Sequence, residues 1–119
     1  MIDSNRTRRA ALKARATANR LVASCKRRPR SIATHLIAAG VDAQTASGAA
    51  SGMKAAAKRI GLAPAQVART RRTTAGGRAR ITRTVTRWTR NQLRRLLAAY
   101  NPRKAEYRAA VARLAAALT

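Results

Sequence analysis

Negative charge is almost missing from this chain: Asp3, Asp42 and Glu106 are the only carboxylates, against 27 Lys and Arg in 119 residues. General acid–base catalysis lacks its usual parts, because His35 is also the only imidazole. A metal site needs three or four ligands, and Cys25, His35 and three scattered acids do not cluster along the sequence. A single cysteine excludes an intrachain disulfide. There is no run approaching 18 apolar residues, so no membrane-spanning segment is expected. The Arg-rich opening lacks the apolar stretch of a secretory signal. It matches a transit peptide in composition, but Asp3 and the dense tract 26–30 argue against one. The expectation is a non-enzyme with no catalytic residues, cofactor, metal or small-molecule substrate.

Bulky apolar side chains are scarce too. Phe is absent, and Leu, Ile and Val together make 19 of 119 residues, about 16%, a level typical of disordered chains when net charge is high. Alanine alters that reading, because 30 of them favour helix while contributing little burial. Helices around a thin core follow. The net charge of +24 has two sources. A GC-rich coding sequence explains 22 Arg against 5 Lys, but not the missing acids, whose codons can also end in G or C. A partner bearing dense negative charge accounts for the missing acids, and a nucleic-acid backbone is the natural one. The expected location is cytoplasmic and nucleoid-associated.

Punctuation divides the chain. Pro29 closes a first helix over 4–26, with Ala14, Ala18, Leu21 and Cys25 on its apolar face; residues 1–30 read as a basic arm and 31–119 as a single helical nucleic-acid-binding domain. Gly40 separates a short helix over 31–39 from a longer one over 43–60, N-capped by Asp42. In the longer helix Ala46, Ala50, Met53, Ala57 and Ile60 form one apolar stripe. Pro64 opens a further helical turn through Arg69, and 71–77 is a break. Residues 78–88 read two ways. The alternating, β-branched run Ile81 to Thr86 suits a hairpin wing over about 69–86, turning at Gly76-Gly77. A helix from Arg78 to Tyr100 instead gathers Arg80, Arg83, Arg87, Arg90 and Arg94 in a sector of roughly 80°, opposite Ile81, Val85 and Trp88. The helical reading is preferred. Asn101 then caps a last helix with Pro102 in its first position and Tyr107, Val111, Leu114 and Leu118 on one face, making an antiparallel pair. The fold class expected is all-α, a small helical bundle.

Within it, the segment Ala38-Ala39-Gly40-Val41-Asp42-Ala43-Gln44-Thr45-Ala46-Ser47 resembles the helix-turn-helix of bacterial DNA-binding proteins, particularly lactose-repressor-type regulators. Gly40 stands where that motif takes a turn, Val41 where it places an apolar residue, and Ala46 where it places a small one. Leu36 stands where the family usually has Ala, and Gly48 and Gly52 interrupt the second helix at a cost of about 1 kcal/mol each relative to Ala. The resemblance implies that Gln44 and Ser47 read base edges while Lys54, Lys58 and Arg59 lie near the backbone. A homodimer is the usual form of such a reader.

The five arginines 80, 83, 87, 90 and 94 are the candidate phosphate contacts, because like charges along one edge repel unless an anion lies against them. Arg6, Arg9, Lys13, Lys26, Arg27, Arg28 and Arg30, with Arg8, Arg15 and Arg20 beside them, form the more diffuse basic arm. Trp88, Tyr100 and Tyr107 read as core residues, His35 as a partly buried helix residue and Cys25 as a small core residue. The function expected is a small bacterial, phage or plasmid-type regulator or accessory factor that binds duplex DNA. The alternatives are an RNA-binding structural protein of a ribosome-like particle and a sequence-nonspecific nucleoid or packaging protein. A membrane-active amphipathic protein is the weakest competitor, since 78–100 carries several threonines and little apolar surface.

Overall fold

Three caps and one paired strand end set out the architecture. In the computed structural model, which describes the backbone of residues 2–73 and 80–119 and the side chains of 4–69 and 83–119, Ser31 and Asp42 each accept a hydrogen bond from the backbone N–H three residues on. They open α2 (Ile32–Ala38) and α3 (Ala43–Ile60). Thr89 opens α4 (Arg90–Ala99) with a full capping box, accepting from the Gln92 N–H while Gln92 Oε1 accepts from the Thr89 N–H at 3.0 Å. Ahead of them runs α1 (Ile2–Arg27), and the last element is α5 (Ala105–Leu118). Between α3 and α4 lies an antiparallel hairpin, β1 (Gln66–Thr73) with β2 (Arg80–Arg87). The bundle is therefore mostly helical, with one minor hairpin.

The hairpin corrects the preferred helix over 78–100. Ile81, Thr82, Thr84, Val85 and Thr86 are β-branched, and a helix would crowd all five against the preceding turn. Strand pairing also separates charge: from Gln66↔Arg87 to Thr73↔Arg80, none of the hairpin's six arginines stands opposite another. A helix would have stacked Arg80, Arg83 and Arg87 on one edge. The helical turn expected from Pro64 to Arg69 is likewise replaced by a bend and the start of β1. The Gly76-Gly77 turn lies outside the described residues. The last helix begins at Ala105 with Lys104 as N-cap, so Asn101 and Pro102 belong to the connection rather than to the helix.

Thin though it is, the core is continuous. Ile32 and Leu36 of α2, Ala46, Ala49, Ala50, Met53, Ala56 and Ala57 of α3, Trp88, Leu93 and Leu96, and Ala110, Leu114 and Leu118 of α5 are all buried together. Small residues on α3 let its neighbours approach closely, which is how Ala46, Ala49, Ala50, Ala56 and Ala57 can serve as core residues at all. Ile60, expected to complete the α3 stripe, stays 47% exposed past the last covered turn. At the other end of the chain, Ser24 and Cys25 are buried, while Ser4 to Arg20 of α1 are exposed throughout. Its apolar face therefore packs only from Leu21 onward.

Two devices tie the ends together. Arg94 donates from Nε and Nη2 to Leu118 O at 3.1 and 2.6 Å, and Arg90 Nη2 donates to Ala117 O, so two guanidiniums sit on the last carbonyls of α5. This places the start of α4 beside the end of α5, the antiparallel pair expected. Arg30 and Trp88 exchange backbone hydrogen bonds of 2.7 and 3.1 Å, which joins the α1–α2 connection to the root of the hairpin.

Candidate functional site

The turn between α2 and α3 builds the site from one glycine and one cap. Gly40 has φ +97°, a conformation in which a side chain would be strained, and it lets Val41 drop into the core while Asp42 caps α3. The Asp42 carboxylate accepts from both the N–H and the hydroxyl of Thr45, and these bonds hold its pKa below the ordinary carboxylate value. Arg113 of α5 donates to Gly40 O at 3.2 Å and braces the same turn. The orientation of α2 relative to α3 is thus fixed at three points.

What this leaves outward is a long polar face of α3. At ~100° per residue, Gln44, Ser47, Ser51, Lys54 and Lys58 fall in a sector of ~80°, opposite the buried Ala46, Ala49, Met53 and Ala56. All five are exposed, and no acid lies among them. Four of them were expected site residues, and the structure brings them together. Arg59 diverges from the set, because its guanidinium donates to Ala99 O at 3.2 Å and closes the end of α4.

The face has two different flanks. On one side Lys54, Ala55, Ala57 and Lys58 share a groove with Leu62, Pro64, Thr86 and Trp88 at the root of the hairpin. Gln92 donates to Ala63 O at 2.8 Å and Arg87 to Gln66 Oε1 at 3.1 Å, which fixes that root against the helices. On the other side stand two tyrosines. A Cβ added to Gly48 would meet Tyr107 Oη at 2.3 Å, and one added to Gly52 would meet Tyr100 Oη at 2.9 Å. The two glycines inside α3 are thereby explained, since each makes room for an aromatic ring. Sequence reasoning placed both tyrosines in the core, whereas they are half-buried edge residues packed on α3. The signal available was the Gly48-x-x-x-Gly52 spacing itself, which opens one side of a helix to large neighbours.

The five-arginine stripe does not survive as a unit. Arg80, Arg83 and Arg87 lie on β2, with Arg83 and Arg87 on one face by strand alternation and the Arg80 side chain outside the described residues. Arg90 and Arg94 are committed to the α5 carbonyls, so their first role is structural. The basic arm divides in the same way. Arg6, Arg9, Lys13, Lys26 and Arg27 are exposed, while Arg28 and Arg30 both donate to Ser24 Oγ, at 3.2 and 3.3 Å.

Behind the site, His35 was missed as a fastener. It is buried and its Nε2 donates to Trp88 O at 2.8 Å, the same carbonyl that accepts from Arg30 N. Burial lowers its pKa, and the nearby Arg90 and Arg30 charges act in the same direction. Cys25 is buried as expected, and burial raises its thiol pKa. Among the described residues no three His, Cys, Asp or Glu side chains gather at a metal-binding distance, and no helix is long and apolar enough to cross a membrane. No protein-family model, curated protein or solved structure matches this chain.

Proposed function

We propose that this protein is a non-enzymatic duplex-DNA-binding protein, in which α2 and α3 act as a helix-turn-helix and the hairpin as a basic wing. The observation that carries the reading is the outward face of α3: Gln44, Ser47 and Ser51 followed by Lys54 and Lys58, exposed, free of acid and braced from behind at the Gly40 turn. A helix about 10 Å wide with such a face suits the major groove. Gln44 pairs with an adenine edge there and Ser47 with a base or phosphate, while Lys54 and Lys58 neutralise backbone. Arg69, Arg83 and Arg87 on the hairpin, and the arm 6–27, add contacts along the flanking phosphates. Affinity in this scheme is mostly electrostatic. Engaging about eight phosphates lowers log K by roughly 4 between 50 and 200 mM salt.

A duplex site with two-fold symmetry would take two copies of the chain, with half-sites about 34 Å apart. The sparse set of base-reading groups on α3, one amide and two hydroxyls, favours a second reading in which the protein compacts DNA with little sequence preference. One experiment decides among these. Full-length protein is titrated with a random duplex pool and with structured RNA from about 50 to 300 mM salt, with selection on the duplex pool. Tighter duplex binding with a consensus half-site supports the regulator. Tight duplex binding without a consensus supports the compacting role, and preference for RNA overturns both. In the first case Gln44→Ala with Ser47→Ala should erase the sequence preference and leave nonspecific affinity intact.

A further inference from the structure

The tyrosine flank of α3 carries chemistry that packing does not use. Tyr107 Oη and Tyr100 Oη rest against Gly48 and Gly52, two positions one helical turn apart. The two rings therefore share one flank of the helix, and the Tyr100 pKa is raised first by burial and further by the charge of Tyr107. Among the described residues neither has a hydrogen-bond partner, and no partnerless side-chain N or O is buried, so both O–H groups reach solvent. Lys104 Nζ stands 5.6 Å from the centroid of the Tyr107 ring. Glu106, the one acid of α5, lines a different cavity with Asp42, Thr45 and Arg113 at the α2–α3 turn. Two open hydroxyl donors thus line one flank of the α3 face, with an ammonium over the ring of the second.

We propose that the Tyr100 and Tyr107 hydroxyls, with the Lys104 ammonium, form a phosphate clamp that holds one backbone strand of the duplex lying along α3. This rests on the reading of α3 as the duplex-facing helix. It completes that reading by giving the face a backbone contact on each flank, the hairpin root on one side and the clamp on the other. Tyrosine hydroxyls suit the task because they donate to phosphate oxygen without adding to the self-repulsion of a +24 chain. Their rings, seated on glycine, are already ordered before the duplex arrives.

The test compares full-length wild type with Y100F/Y107F, K104Q and K54Q/K58Q for affinity to a short random duplex across salt. Removing the two hydroxyls should weaken binding about tenfold or more with the log–log salt slope unchanged, because a hydroxyl displaces no counterion. K104Q should lower the slope by about 0.9 and K54Q/K58Q by about 1.8. Thermal unfolding of Y100F/Y107F should match wild type, since both rings remain. Acylation of the wild-type lysines supplies a readout that needs no variant: duplex should protect Lys104 together with Lys54 and Lys58. Wild-type affinity in Y100F/Y107F, or full reactivity of Lys104 while Lys54 and Lys58 are protected, overturns the clamp and leaves the α3 reading standing. A wild type that shows no preference for duplex removes the α3 reading and the clamp with it.

Discussion

Replacing Gly48 by Ala should destabilise the protein, although the same change in an isolated helix stabilises it by about 1 kcal/mol. The reason is the Tyr107 ring. The new Cβ would overlap its hydroxyl oxygen and sit 2.9 Å from Cζ and 3.1 Å from Cε1, so the hydroxyl end of the ring must swing clear and the ring edge behind it must give by a few tenths of an ångström. Forcing extra volume into a packed contact costs about 1–3 kcal/mol. Taking about 2 kcal/mol for a half-buried ring and setting the propensity gain against it leaves a net loss of about 1 kcal/mol. At this chain length that corresponds to a fall in melting temperature of about 4–5 °C. The informative measurement is a double-mutant cycle by urea and thermal unfolding. In a Tyr107→Ala background the clash is gone, and Gly48→Ala should instead stabilise by about 1 kcal/mol, a coupling of about 2 kcal/mol with a change of sign. Equal effects of Gly48→Ala in both backgrounds would refute the claim that Tyr107 dictates this glycine.

Three further outcomes follow from the fold. His35 has a folded-state pKa held below its ordinary 6.5 by burial, so the unfolded chain takes up the proton first as pH falls. The unfolding free energy should be level above about pH 7.5 and decline from about 6.5 down to the lowered folded value; His35→Gln should flatten that window, and an unchanged profile would place the titration elsewhere. Arg94→Ala removes a double donor from Leu118 O and should cost about 1 kcal/mol in urea unfolding, with Arg94→Lys restoring only part because one ammonium cannot reproduce the fork. Thr89→Ala breaks the capping box of α4 and should also cost about 1 kcal/mol, without altering the hairpin's circular-dichroism signature.

Local chemistry was the legible part of the sequence. Asp42 before an apolar stripe fixed α3 at 43–60, Pro29 ended α1, and Gly40 marked the turn, because caps and left-handed turns depend on one or two residues. In the segment 78–88 two local signals conflict. Arginines at helical spacing point to a helix, yet charge periodicity without apolar burial is weak, and the β-branched run with its partner 66–73 prevails. Long-range pairings were invisible. Nothing in the sequence shows Arg30 meeting Trp88, Arg94 reaching Leu118 or Tyr107 lying on Gly48, since each joins residues 24 or more positions apart only after the helices pack. Of the candidate site, Gln44, Ser47, Lys54 and Lys58 were implied by the helix-turn-helix resemblance and lie on one exposed face, whereas Arg59 turns to Ala99 O and the tyrosine flank is a product of tertiary packing.

The Arg30–Trp88 bridge also makes the hairpin a lever with a clamped fulcrum. Eight residues per strand at about 3.3 Å each give an arm of roughly 26 Å beyond the root. Tilting such an arm by about 10° at Trp88 carries its far end through roughly 4–5 Å, while displacing the Lys54 and Lys58 side of the root by a small fraction of that. The geometry separates two stiffnesses: residues near the fulcrum are held in place, and the strand backbone far from it travels furthest for the same tilt. His35, by holding Trp88 O from behind, sets the stiffness of that pivot.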